Sequence, residues 1–454
     1  MKIQTALALA LVIQGLASAQ QGKLTVEDAR NLALANSRSL AKYAITLQSS
    51  ALDEQTQYHS LLPSISLGAN AGVNLWNRDG NPDPSIAGSV SAGASLELKE
   101  TLPLWDGKKF SIQRIINGLN TESARQDALA EYYTVLDAVD SAYYTVLKAL
   151  ANLEAAESSL ETAALSLSIA EVRRQNGMIN EAAYLEALAR KENQENARGQ
   201  SRRDLSLARL KLKNLLGLTE LPELEGPDFG SLEGLIEALA LLDEAAFERL
   251  RLRVWDSIEE RNPALVKAGL NTARARQNLS LAQWSYSPTL SASFGAGVSY
   301  DFMEQSFTLN EGRLTLSASI PLGFWATGAA VKRSSLALDQ AGLDYQGARE
   351  SLDVQLQTCL MNLIAQAGQI RSASRALDYA AKNFEHALEL YRLSQNSLSS
   401  LNDAESLMRN NMNQLITARY GFLSALSTLR GLGVFESEAE CTALLTRSIQ
   451  GGLR

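Results

Sequence analysis

From residue 24 to about 60 the apolar positions Ala29, Leu32, Ala33, Leu40, Ala44, Leu47 and Ala51 recur at three- and four-residue steps, the spacing that turns one stripe of a single helix toward a neighbour. Pro63 ends that pattern and the period drops to two. Ile65, Leu67, Ala69, Ala71, Val73 and Leu75 alternate with Ser64, Ser66, Asn70 and Asn74, which predicts a strand with one apolar and one small-polar face. Residues 77–85 are dense in turn formers and carry two prolines. Val90, Ala92, Ala94, Leu96 and Leu98 then alternate with Ser89, Ser91, Gly93, Ser95 and Glu97 as a second strand, so 63–105 is predicted as an antiparallel hairpin.

Pro103, Leu104 and Trp105 close that hairpin, and Asp106 is placed to cap the next helix. This helix runs without a proline from 108 to about 175, about 68 residues or roughly 100 Å at 1.5 Å per residue. Along it Leu129, Tyr132, Leu136, Val139, Tyr143, Val146 and Leu150 follow 3-4-3-4 steps, a heptad seam that packs on other helices and holds no ligand. Residues 175–180, QNGMIN, reverse the chain, with Gly177 suited to the left-handed position, and a shorter helix follows to about 216. Its stretch 190–204, RKENQENARGQSRRD, is polar all round, the pattern of a helix with water on two sides.

Past a connector at 219–260 the order returns: a helix at 263–285, then Leu290, Ala292, Phe294, Ala296 and Val298 alternating with Ser291, Ser293 and Ser299. A loop at 303–312 leads to Leu314, Leu316, Ala318 and Ile320 alternating with Thr315, Ser317 and Ser319. A long helix over 329–394, a turn at 395–400, a last helix to about 429 and a tail at 434–454 complete the plan. Both halves end on L-x-x-L-x-G-L, Leu212, Leu215, Gly217 and Leu218 in the first and Leu426, Leu429, Gly431 and Leu432 in the second. The chain is therefore predicted to be an internal duplication of 20–218 and 261–433, with hairpins at 63–105 and 288–322.

Composition narrows what such a chain can do. Lys2, an apolar run over 3–16 and Ala17-Ser18-Ala19 make 1–19 an expected signal peptide, with the mature chain starting at Gln20. No later uncharged apolar run reaches the roughly 18 residues of a spanning helix. Lys and Arg number 42 against 50 Asp and Glu, a net charge of −8, and both signs are scattered, so nucleic acid is not an expected partner. Cys359 and Cys441 are too few for a disulfide scaffold, and the sequence leaves open whether they are bonded. His59 and His386 stand without metal-ligand spacing, and FGAGVSY at 294–300 has two glycines of a nucleotide motif but lies inside a strand. No metal, no cofactor and no enzymatic activity are expected.

Four strands cannot enclose an open lumen, since even eight leave an interior filled by side chains, and two open edges would invite aggregation. An exported chain whose strands are apolar on one face and small-polar on the other matches the lipid-out, lumen-in pattern of outer-membrane barrels, closed by several copies. Trp76, Trp105, Tyr300, Phe324 and Trp325 stand at or near strand ends, where an interfacial aromatic belt is expected.

The succession of a helix, LLPSISLGA at 61–69, PLWDGKK at 103–109, a long helix, NGMIN…YLEAL at 176–188 and the repetition of that plan resembles the TolC-like outer membrane efflux proteins over essentially the whole mature chain. The resemblance implies a mainly α fold with a small β part: a long coiled-coil α-helical barrel across the periplasm and an outer-membrane β-barrel. Each chain would supply four strands, and a homotrimer would close twelve. It also implies a periplasmic adaptor and an inner-membrane pump of the resistance-nodulation-division or ATP-binding-cassette type as partners, besides outer-membrane lipid.

The resemblance further points to the two helix turns as a periplasmic tip. Asn176, Gly177, Met178 and Ile179 in the first, and Asn396, Ser397 and Leu398 in the second, stand where the family contacts its adaptor; Asn396 replaces a usual glycine. The acidic positions that follow fall on Ala183 and Glu186, then on Asn402 and Glu405 with Asp403 adjacent. Asn402, Asp403, Glu405 and Glu186 are thus gate candidates, because an acid repeated about a threefold axis rings a narrow opening and attracts cations. The competing expectation is ordinary helix-dipole pairing. Leu398 stands where the family's tip latch has an arginine, so any closure of this tip would use other contacts, and the sequence leaves open whether it closes at rest. The sequence supports a passive export duct of a tripartite efflux or type I secretion system; the alternative is a non-conducting, periplasm-spanning structural or adhesive coiled coil.

Overall fold

The computed structural model describes residues 23–59, 62, 64–73, 90–302, 305–393 and 395–450. The expected leader, Trp76 and the 77–85 loop lie outside them. Two helices, where one was predicted, open the chain: α1 (Val26–Asn36) and α2 (Arg38–His59). Between them Ser37 is extended, with φ −68° and ψ 111°, and its hydroxyl accepts a hydrogen bond from Leu40 N at 3.2 Å. A serine starting a new helix looks, in a periodicity, like one more polar position.

β1 (Ser64–Val73), β2 (Val90–Trp105), β3 (Thr289–Asp301) and β4 (Ser306–Ser319) form one antiparallel sheet in the order β1-β2-β3-β4. The predicted alternation sets the register. Leu67 stands opposite Leu96, Leu96 opposite Val298, and Ala292 opposite Leu316, so one apolar face runs across all four strands. The boundaries differ in two places. β2 continues through Pro103 to Trp105, with its pairing shifted there, the setting in which a strand tolerates a missing N–H. β4 starts at Ser306, inside the expected loop, and its register shifts between Gly295 and Gly297. That bulge absorbs one additional residue of β4 and keeps Leu309 and Leu314 with the apolar set.

The remaining helices are α3 (Lys109–Gln175), α4 (Glu181–Leu216), α5 (Glu233–Ala240), α6 (Glu244–Ile258), α7 (Pro263–Gln283), α8 (Phe324–Arg392), α9 (Leu398–Gly433) and α10 (Glu438–Gln450). α7 runs into a 3₁₀ turn, Trp284–Tyr286. α8 starts at Phe324, ahead of the expected 329, and α10 occupies the expected tail, with Cys441 and Leu445 fully buried. α3 begins where predicted: Asp106 Oδ2 accepts from Phe110 N. Gly107 makes the corner at φ +67°, and a Cβ there would lie 2.7 Å from Ser287 Cβ.

The described residues fall into two compact units. One gathers the segments up to Ala44, Asp127–Val266 and from Ala348 onward; the other holds Ile45–Gln126 and Lys267–Gly347 with the sheet. In the first, the heptad seam of α3 buries Val139, Tyr143 and Val146 against Ala29 and Ala33 of α1 and Leu205, Leu212 and Leu216 of α4. The Tyr143 hydroxyl lies 2.7 Å from both Leu24 O and Glu225 O, at a parallel bridge between Leu24 and Leu224. In the second, polar contacts lace the helices: Asn117 Nδ2 donates to Gln57 Oε1 at 2.9 Å, and Thr272 Oγ1 to Ala341 O at 3.0 Å. α2 has no buried side chain.

The duplication is visible in the caps. α4 and α9 are each 36 residues long. Asn180 and Ser397 cap their starts through a side-chain oxygen, and Gly217 and Val434 end them in the left-handed region. Gly217 therefore corresponds to Val434, three residues beyond the Gly431 that the matching motif selects. Asn36 Nδ2 donates to Leu216 O at 2.8 Å and Asn262 Nδ2 to Leu432 O at 3.0 Å, so each half closes its last long helix with an asparagine from a junction between two shorter helices, α1–α2 and α6–α7.

Candidate functional site

The first helix turn is built from the end of α3. Gly177 N donates to Arg174 O at 2.9 Å and Met178 N to Arg173 O at 2.8 Å, with Gly177 at φ +69°; this pair of bonds satisfies the last carbonyls of the helix. Asn176, Gly177 and Met178 are exposed, and Ile179 is half-buried. The second turn repeats the longer bond as Gln395 N to Leu390 O, 2.8 Å, so Gln395 corresponds to Met178. Ser397 is exposed and Asn396 half-buried. Leu398 is not a surface residue: it packs in a cluster with Ala170, Ala187, Tyr391, Leu401 and Ala404.

The four gate candidates separate. Asp403 and Glu186 are exposed, and Asn402 Nδ2 donates to Glu186 Oε1 at 3.2 Å. Glu405, expected at an opening, is 2% exposed and forms an ion pair with Arg190 of α4. Its Oε1 and Asn402 Oδ1 have no hydrogen-bond partner among the described residues. One helical turn on, Arg409 Nη1 donates to the buried Gln194 at 3.1 Å. The stretch 190–204 is thus not polar to water on every side; Arg190 and Gln194 turn inward against α9.

α3 and α8 are joined by a contact that periodicity did not reveal. The Arg173 guanidinium lies 4.3 Å over the Tyr391 ring and donates to Tyr391 O. Burial raises the Tyr391 pKa, with the Arg173 charge opposing. Arg174 beside it pairs with Glu181 at 3.1 Å and stacks 4.0 Å over Tyr184. Two arginines in the last turn of a helix were the available signal.

A second polar cluster lies in the same unit. Asp140, 0% exposed, accepts from Arg30 Nε at 2.6 Å and Nη2 at 2.9 Å, from Arg430 Nη2 at 2.9 Å and from Ser427. Arg30 also pairs with Glu438 of α10. Burial alone would lower the Arg30 pKa; hydrogen bonding and charge from Asp140 and Glu438 outweigh it and hold it above its ordinary value. Three helices, α1, α3 and α9, thereby meet on the Asp140 carboxylate, and α10 joins them through Arg30.

In the sheet, Leu67, Leu314 and Leu316 are 80%, 77% and 68% exposed, a density of apolar side chains that water does not favour. No described helix is long and apolar enough to cross a membrane. Aromatic residues gather at both ends of β3. At one, Trp105 Nε1 donates to Ser287 Oγ at 3.3 Å, Lys108 Nζ sits 5.1 Å over Trp284, and Tyr286 is exposed. At the other, Tyr300 packs at 5.1 Å on Phe302 and 4.6 Å on Phe307. Phe324 and Trp325 belong to the first turn of α8, with Trp325 exposed.

Residues 29–218 and 254–432 match the family model described as outer membrane efflux protein. Outer membrane protein TolC of Escherichia coli (strain K12) is 24% identical over 403 residues, 81% of this chain and 75% of that one. Among solved structures, CusC superposes with a TM-score of 0.72 at 18% identity, covering 90% of this chain and 91% of its own. The CmeC outer membrane channel of Campylobacter jejuni gives 0.70 at 16% identity, covering 94% and 90%.

Proposed function

Because the chain belongs to the outer membrane efflux protein family, an outer-membrane channel and not an enzyme, we propose that three copies form the passive exit duct of a tripartite efflux or type I secretion system. The observation that carries this is the sheet. Among the described residues its two outer strands, β1 and β4, are each paired on one side only, and its faces divide into apolar and small-polar. Three such sheets joined edge to edge give twelve strands, every backbone group paired and water inside. Ile45 and Leu52 of α2 and Leu336 and Leu343 of α8, all exposed in the single chain, are the positions a neighbouring copy would cover.

At the tip, Asn176, Gly177 and Met178 offer an adaptor its docking surface, and Asp403 and Glu186 remain free of burial to ring the opening. Arg190–Glu405, Asn402–Glu186 and Arg173–Tyr391 hold the two helix turns together and act as the latch. Energy comes from an inner-membrane pump, of the resistance-nodulation-division or ATP-binding-cassette type. Native mass spectrometry of the detergent-extracted protein tests the assembly: a complex of three chains is expected, and a stable monomer would return the chain to a non-conducting rod.

A further inference from the structure

The small-polar face of the sheet is almost free of bulk. Ser95, Ser291, Ser293, Gly295, Gly297, Thr315 and Ser317 carry nothing longer than a hydroxyl-bearing side chain. Among the described side chains, three long charged ones interrupt it between the two aromatic ends. Lys99 of β2 and Arg313 of β4 both stand opposite Gly295, so the two cations occupy one level, two strand spacings or roughly 9.5 Å apart. Glu97 lies two residues from Lys99 on the same face, and its Oε1 reaches within 3.8 Å of where a Gly295 Cβ would be. The glycine opens a gap into which this carboxylate leans, between the two cations. All three side chains are exposed.

We propose that Lys99 and Arg313, partly offset by Glu97, form a basic belt inside the barrel that favours anionic solutes over cationic ones at that level. The proposal rests on the barrel model above, in which this face lines the lumen. Each chain contributes two positive charges and one negative, so three chains place a surplus of three positive charges around the wall. Charges lining a narrow, low-dielectric passage focus potential on passing solutes. The ligand class is therefore small anions and the anionic ends of larger solutes.

A cysteine reporter on the same face tests this without requiring the periplasmic tip to open. Thr315→Cys is introduced two residues from Arg313, and intact cells are treated from outside with methanethiosulfonate reagents carrying either a sulfonate or a trimethylammonium group. The native Cys359 and Cys441 are buried and give the background in the parent. The ratio of the two labelling rates cancels any change in thiolate fraction and reports local potential. Replacing Lys99 and Arg313 with glutamine is expected to lower the sulfonate-to-ammonium ratio about tenfold, each single replacement part of the way, and Glu97→Gln to raise it; 1 M salt should shrink all of these differences. A labelled Thr315→Cys with an unchanged ratio in the glutamine variants overturns the belt. If Thr315→Cys resists both reagents while Leu316→Cys reacts, the face assignment and the barrel model fall together. Should the double variant not assemble, the single replacements carry the same test.

Discussion

Separating Arg190 from Glu405 tests whether the tip is held by this pair. The side chains are 14% and 2% exposed, so the pair is screened far less than a surface ion pair. Arg190→Met strands the Glu405 carboxylate, which already has one oxygen without a partner among the described residues. Removing one member of a buried pair costs about 3–5 kcal/mol; water reaching Arg190 brings the estimate nearer about 2 kcal/mol. If opening draws α4 and α9 apart and returns Glu405 to water, that cost falls on the closed state alone. It then raises the open population about thirtyfold per chain, and the factors multiply when three chains open together. Arg190→Met combined with Glu405→Leu removes the stranded charge and is expected to restore closure, since apolar replacement of a buried pair is close to neutral. Open probability of trimers in planar bilayers reads the effect. Trimeric Arg190→Met channels as quiet as the parent, or a double variant as leaky as the single, would refute the latch.

Three further outcomes follow from the geometry. Leu316→Arg places a charge on the apolar face and should cost about 2–4 kcal/mol at mid-sheet, whereas Thr315→Arg on the opposite face should leave recovery in outer-membrane fractions unchanged; equal recovery would contradict the assignment of faces. Burial pushes Cys359, Cys441, Tyr133 and Tyr143 up to about 12. Their stabilising contribution is complete below the unfolded values near 9 to 10 and is lost as pH rises toward 12, by at most about 1.4 kcal/mol per pH unit for each group. Helix melting followed by circular dichroism from pH 8 to 11 should therefore show falling stability, and a constant midpoint would disprove it. Gly107→Ala, which combines a φ of +67° with a Cβ 2.7 Å from Ser287, should lower the midpoint by about 1–3 kcal/mol equivalent, while Gly118→Ala, where a Cβ meets nothing within 4 Å, should not.

Elements governed by a repeating pattern could be read from the sequence, as could the corners marked by Asp106 and Gly177; those set by a residue that interrupts no pattern could not. The two-residue alternation gave the faces of all four strands, and the 3-4 spacing placed Val139, Tyr143 and Val146 in the seam they occupy. Ser37, which ends one helix and caps the next, interrupts neither pattern. The bulge at Gly295–Gly297 hid the start of β4, because one additional residue on β4 throws an alternation out of phase. In the L-x-x-L-x-G-L motif, likeness of residues selected Gly431, while hydrogen bonding at the caps selects Val434 as the partner of Gly217. Glu405 was visible as an acid near a turn. Whether it faced water depended on Arg190, 215 positions away, and no local pattern carries that pairing.

The location of these polar contacts bears on how a tip could open at all. A seam of leucines across α4 and α9 would hold the turns closed, but parting it would expose apolar surface at roughly 25 cal/mol per Å² on every opening. An ion pair behaves differently. Its closed form has already lost much hydration, and separating Arg190 from Glu405 returns both groups to water, so the open state recovers most of what the pair contributed. The larger apolar cluster lies away from the turns, around Tyr143, and the smaller one at the turns, around Tyr391, reaches α4 through the short side chain of Ala187. Between α4 and α9 near the turns the chain places Arg190 with Glu405, Gln194 with Arg409 and Glu186 with Asn402. A duct whose end must open and reclose without aggregating requires that kind of seam: specific when joined, soluble when parted.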